Sequence, residues 1–226
     1  MQVTPEPVSK LSTTEPIGAQ LVSILRGRII RNELQPGTRL SEAGIASEFD
    51  ISRQPVREVF IRLAEEGLLE VRPQRGTIVP RISARMVEDA RFIREAIEAD
   101  VVKHAAAKFD RGQVAELDQL LEHQKRAKDV HEFIELDDQF HRGLADGIGR
   151  AHAWNVIEAL KAQLDRVRYL SLQQFPKAKL IEQHSAVIEA IRAGDPGQAE
   201  AAMRRHLNTI VDDLPVIAAE QPDHFE

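Results

Sequence analysis

Residues 51–63 read Ile-Ser-Arg-Gln-Pro-Val-Arg-Glu-Val-Phe-Ile-Arg-Leu. Val56, Val59, Phe60 and Leu63 recur three and four apart, the spacing of one apolar helix face. Ser52 is a capping residue, and Pro55 falls in the first turn, where no intrahelical donor is lost. The helix is expected to stop at Gly67, and it leaves Arg53, Gln54, Arg57 and Ile61 together on the outer surface. Asp50 suits the tight turn before it.

Working outward, Leu21, Ile24, Leu25, Ile29 and Ile30 follow helical spacing after Pro16, and the pattern ends at Asn32 before Gln35-Pro36-Gly37. Ser41 to Phe49 forms a second short helix, capped by Ser41, with Ile45, Ala46 and Phe49 inward. Beyond Gly67, Leu69 to Arg72 and Thr77 to Pro80 are strand-like and bracket Pro73-Gln74-Arg75-Gly76, a hairpin with arginine at its tip. Three helices and a two-stranded wing over residues 16–80 describe a winged helix-turn-helix. Residues 1–15, rich in Pro, Ser and Thr, read as a loose tail.

The third helix carries what a major groove requires. Arg53 and Arg57 lie one turn apart at its start, and a guanidinium pairs bidentately with guanine O6 and N7; Gln54 is a second reading group. Arg72 and Arg75 of the wing, with backbone amides at Ser41 and Thr77, are placed to hold phosphates. The competing reading is a solvated face with ion pairs to Glu58 and Glu65. Arginine at both helix start and glycine-supported hairpin tip favours double-stranded DNA as the partner.

After Ile82 the chain becomes rich in Ala, Glu, Leu, Ile and Arg. Helices are expected near 84–107, 112–127, 130–146, 151–172, 177–193 and 196–218, separated by glycine, proline and aspartate breaks. The fold class is therefore mainly α: the winged unit followed by an all-helical bundle of about six helices over 81–226. The chain is 42% apolar and 29% charged, which excludes collagen-like and low-complexity classes. No run is apolar enough for a membrane span, and the start shows no export signal. Cysteine is absent, so thiolate zinc sites and disulfides are excluded and a cytoplasmic protein is expected. The formal charge of −6 is unevenly spread, for all the excess acid lies after residue 80.

Four polar residues interrupt apolar helix faces in the bundle. Asp137 and His141, one turn apart, fall within the stripe of Phe133, Phe140 and Leu144. His184 sits among Leu180, Val187, Ile188 and Ile191, and His206 among Ala199, Met203, Leu207 and Ile210. A lone inward histidine is usually a hydrogen-bonded core residue. Three, with an aspartate, on three helices leave several buried groups needing partners, and one divalent metal satisfies them together. Zinc, nickel, manganese and iron all suit this set, and places remain open on the metal for water or for the carboxylate of a small organic acid. His104, His123, His131, His152 and His224 read as surface or cap residues.

Two stretches carry a family resemblance. Pro36 to Glu42, Ile51 to Glu58, Leu63 to Leu69 and Arg75-Gly76 resemble the DNA-binding domain of GntR-type bacterial transcription regulators. Arg94 to Glu98, Asp137 to His141, His184 and Met203 to Leu207 resemble the FCD effector domain of the FadR-like branch. The resemblance implies that Arg53 and Arg57 read bases, that Gln54 contacts beside them and that Gly76 approaches the minor groove. It implies that Asp137, His141, His184 and His206 hold the metal, and Arg94, on the border of an apolar face, is a candidate partner for an effector carboxylate. The sequence departs from the pattern at Ala43, Gln54 and Asp50. A homodimer on an inverted-repeat operator is expected, since one short helix reads too few base pairs. Two alternatives use the same four residues: a metal-dependent hydrolase or oxygenase, for which no HExxH, nucleophile elbow or phosphate loop is found, and a purely structural metal.

Overall fold

A computed structural model describes residues 11–12, 14–72 and 76–226, which fall into two units divided between Ile82 and Ser83. In the first, α1 spans Ile17–Ile30, α2 Glu42–Glu48 and α3 Arg53–Glu65. α3 buries Val56, Val59, Phe60 and Leu63 against Leu21, Leu25 and Ile29 of α1, as the three-four spacing requires. Ser41 caps α2 by accepting from the Gly44 amide at 3.0 Å. Ser52 stands at the cap position of α3, but its hydroxyl makes no capping bond, contrary to expectation. The turn between α2 and α3 passes through Asp50 at φ 53°, a left-handed conformation that short polar side chains tolerate.

The wing is three-stranded. β2 (Glu70–Arg72) and β3 (Gly76–Ile78) pair antiparallel as expected, with Val71 opposite Thr77, and β1 (Arg39–Leu40) adds to the other side of β3 with Arg39 opposite Ile78. Two residues are too few to show alternation, so β1 had no signature in the sequence. The hairpin tip, with Arg75, lies outside the described residues. Ser12 and Glu15, placed in the tail, are hydrogen-bonded through Gln20 of α1.

The second unit is all helical: α4 Ala84–Lys108, α5 Arg111–Arg126, α6 Val130–Gly147, α7 Ala151–Leu160, α8 Ala162–Gln174, α9 Ala178–Arg192 and α10 Pro196–Glu220. α4 and α10 run antiparallel along each other, as Arg91 bonds Asn208, Glu95 pairs with Arg204 and Lys103 with Glu200. The core gathers Phe140 and Leu144 of α6, Trp154 of α7, Val187 and Ile188 of α9, and Met203 of α10. Each such side chain contributes about 1.5–3 kcal/mol by leaving water. The single helix expected over 151–172 is instead two. Lys161 separates them at ψ 0°, short of the helical value, and its ammonium bonds Asp138 at 2.7 Å and Asp165 at 2.6 Å. Among the described residues no helix is long and apolar enough to cross a membrane.

Candidate metal centre and nucleic-acid surface

Asp137 and His141 come from α6, His184 from α9 and His206 from α10. All four are buried, and one ligand atom of each lies within 4.8 Å of the others. The Nε2 atoms converge: His141 and His206 are 3.1 Å apart, His184 and His206 3.2 Å, and Asp137 Oδ1 is 3.3 Å from His184 Nε2. The opposite ring nitrogens are each engaged. His141 Nδ1 meets the Glu98 carboxylate, His184 Nδ1 meets Gln124 Oε1 at 2.8 Å, and His206 Nδ1 meets Gln183 Oε1 at 3.2 Å. Both amides are themselves oriented, since Gln124 Nε2 donates to the Leu136 carbonyl and Gln183 Nε2 to Thr209 Oγ1.

These bonds assign the tautomers. Each Nδ1 faces an acceptor, the tautomer in which a neutral ring keeps its proton on Nδ1 and turns its Nε2 lone pair toward the other rings and the carboxylate. Lone pairs repel, and a shared divalent cation is the group that resolves the arrangement; the residues present therefore fit one. Burial lowers the pKa of His184 to about 3 and that of His206 well below its ordinary value, so both rings are neutral, the form that ligates. Burial alone would raise Asp137, but the Arg168 guanidinium beside it holds its carboxyl below the usual range.

Behind Asp137 lies a buried ion cluster. Arg168 pairs with Asp137, with Asp138 at 3.1 Å and with Asp165 at 2.8 Å, and Lys161 bridges Asp138 and Asp165. Arg94, expected at the border of an apolar face, is fully inside it. Its Nε pairs with Glu98, while Nη2 is buried without a partner among the described residues and the side chain lines a cleft with Asp137 and His206. His104, His123, His131 and His152 are exposed, and His224 is half-buried.

Sequence reasoning did not find Gln124, Gln183 or Arg168. Gln124 had a signal, for Val114, Leu117, Leu121 and Gln124 follow the three-four spacing of one buried stripe. Gln183 sits one turn from Leu180 and Val187, on the edge of the α9 stripe. Arg168 reaches Asp137 from another helix, and no spacing within α8 announces that.

On the first unit, Arg53 and Arg57 project from the start of α3 with 65% and 58% of their side chains exposed. Their ion-pair partner is Glu42 of α2 rather than Glu58 or Glu65: Arg53 reaches it at 3.0 Å and Arg57 at 3.0 and 3.2 Å. Gln54 donates to Glu58 at 3.1 Å. Arg72 forms a two-pronged pair with Glu70, two residues away on the exposed strand β2. Gly76 has φ +85°, which a side chain disfavours, and among the described residues nothing stands within 4 Å of where its Cβ would be.

Comparison with known proteins is consistent across both units. Residues 17–79 match the model described as "Bacterial regulatory proteins, gntR family", and residues 89–209 match the FCD domain. The chain is similar to the "HTH-type transcriptional repressor RspR" of Escherichia coli (strain K12), 41% identical over 96% of this chain and 97% of that protein. Among solved structures it resembles E. coli McbR/YncC, with TM-score 0.75 and 21% identity over 91% of this chain and 99% of that one. A putative GntR regulator from Rhodococcus sp. RHA1 gives TM-score 0.66 and 25% identity over 89% and 97% of the two chains. The chain belongs to the GntR family of bacterial transcription regulators, in the group whose second domain is an FCD domain.

Proposed function

We propose that this regulator binds an inverted-repeat operator in double-stranded DNA as a cytoplasmic homodimer, and that a small organic acid bound at a metal in the FCD domain controls its operator affinity. Residues 16–80 form the winged DNA-binding domain, residues 1–15 a tail and residues 81–226 the effector domain. Arg53, Gln54 and Arg57 read bases, while Ser41, Arg72, Arg75 and Gly76 hold the backbone and set register.

The observation that carries the effector half is the meeting of three Nε2 atoms whose Nδ1 partners are all in place. Asp137, His141, His184 and His206 would hold a divalent ion, with zinc, nickel, manganese and iron all compatible. When bound, such an ion supplies open coordination positions and positive charge for a carboxylate. Arg94 Nη2, buried and without a hydrogen-bond partner among the described residues, is the protein's own group for the same carboxylate. A purely architectural metal would leave that donor without a role.

Elemental analysis after dialysis, with titration of metal-loaded protein by small carboxylates, tests the reading. The expected result is one divalent ion per chain, carboxylate binding that Arg94→Ala weakens, and a change in operator affinity on addition of the acid. A metal-free protein whose melting is indifferent to chelator would overturn it. For the DNA half, Arg53→Ala is expected to cost about 1–3 kcal/mol on operator and less on scrambled DNA; equal losses would make it a phosphate contact.

A further inference from the structure

Glu42 opens α2 and meets the start of α3, where it touches both arginines assigned to base reading. Its Oε1 accepts from Arg57 Nε at 3.0 Å, and its Oε2 accepts from Arg57 Nη2 at 3.2 Å and from Arg53 Nη2 at 3.0 Å. A guanidinium is planar and carries one N–H on Nε and two on each Nη. Arg57 therefore meets Glu42 along its Nε–Nη2 side. The Nη1–Nη2 end, which matches the O6 and N7 pair of guanine, is left for the groove. Arg53 gives Glu42 a single Nη2 hydrogen.

Two guanidinium ions one turn apart repel, and each ends a long side chain with many rotamers. A carboxylate between them offsets the repulsion and holds both in one arrangement before DNA arrives, so binding has less left to order. The cations in turn keep Glu42 ionised, since Arg57 and then Arg53 hold its carboxyl below the usual range. The same carboxylate reduces the local positive charge, which weakens attraction to phosphates of any sequence. Glu42 thus acts in opposite senses on specific and on nonspecific binding.

Resting on the base-reading assignment above, we propose that Glu42 is a positioning residue for DNA recognition: it clamps Arg53 and Arg57 from the side, leaves their reading edges free, and so sets sequence selectivity. Titrations of the whole chain test this on a duplex that the wild type selects from a random pool and on a scrambled duplex of the same composition. The variants are Glu42→Gln, which keeps the length but loses the charge, Arg57→Ala, and the two together. Glu42→Gln should bind the selected duplex about tenfold more weakly, with scrambled binding unchanged or up to about threefold tighter. In the Arg57→Ala background the same change should cost about threefold or less on the selected duplex, because the main partner is gone. Tighter binding of Glu42→Gln to both duplexes would make Glu42 a lock that DNA must open. Equal losses on both would give it a role in folding alone, and an undiminished loss in the Arg57→Ala background would make it a base reader itself; each overturns the clamp. Equal losses of Arg57→Ala on both duplexes overturn the base reading and the clamp together, whereas a selective Arg57→Ala beside an unselective Glu42→Gln overturns the clamp alone.

Discussion

His184 shows how a single side chain can be tested apart from the fold. His184→Ala removes one Nε2 and leaves Asp137, His141 and His206, so metal affinity should drop about tenfold or more. Operator affinity should be kept, because the reading surface belongs to the other unit, while the response to effector is lost. Dialysis followed by elemental analysis, with operator titrations in parallel, measures each. Gln124→Leu is a subtler probe: it touches no cation, but it frees the His184 ring to turn and to take the other tautomer, so metal affinity should fall about 10- to 100-fold with little change in secondary structure. Unchanged affinity would show that packing alone orients the ring. The four ligand candidates were legible in sequence because each is a polar residue inside an apolar stripe, and such residues demand an explanation. Their supporting groups were less so, because a carboxylate on α4 or a guanidinium on α8 meets α6 only through tertiary packing.

At the scale of elements, the turn at Asp50 connects sequence to stability. Asp50 has φ 53° in the turn between α2 and α3, just ahead of the exposed Arg53 and Arg57. Asp50→Ala should lower the stability of the DNA-binding unit by about 1 kcal/mol, since alanine has no short polar side chain to support that conformation, whereas Asp50→Gly should be near neutral. Thermal melts of the two variants decide this; equal destabilisation would mean that the Asp50 carboxylate, not the backbone, matters there. Helix identities and most boundaries followed from apolar periodicity and from glycine, proline and aspartate breaks; that Asp110, Asp129 and Asp195 each accept from a first-turn amide emerges only in the fold. The break at Lys161 did not, because apolar spacing runs on through Leu160 and Leu164. The break coincides with an ion pair from Lys161 to Asp138, a long-range contact that no local pattern records.

For the whole molecule, acid and metal removal should act on one equilibrium. His184 and His206 are kept neutral by burial, His184 down to about 3, whereas in the unfolded chain they titrate near 6.5. Below about 6.5 the unfolded chain takes up protons that the folded chain refuses, so stability is complete above that pH and declines as pH falls, for His184 by about 1.4 kcal/mol per unit down to about 3, with His206 acting in the same direction. Melting in chelator over a pH series should show a steady fall through this window; a flat profile would mean that the rings accept protons while folded. The chain has one tryptophan and one tyrosine, and both lie in the second, helical unit. Trp154 is 1% exposed, its indole lying 6.3 Å from the His141 imidazole with the planes only 8° from parallel. Emission excited through indole thus comes from beside the histidine cluster, and the DNA-binding unit contributes no indole of its own. A closed-shell zinc ion should leave that emission bright, whereas open-shell nickel, manganese or iron should quench it. Fluorescence of the unlabelled protein can therefore identify the class of occupant while operator DNA is bound elsewhere on the same chain.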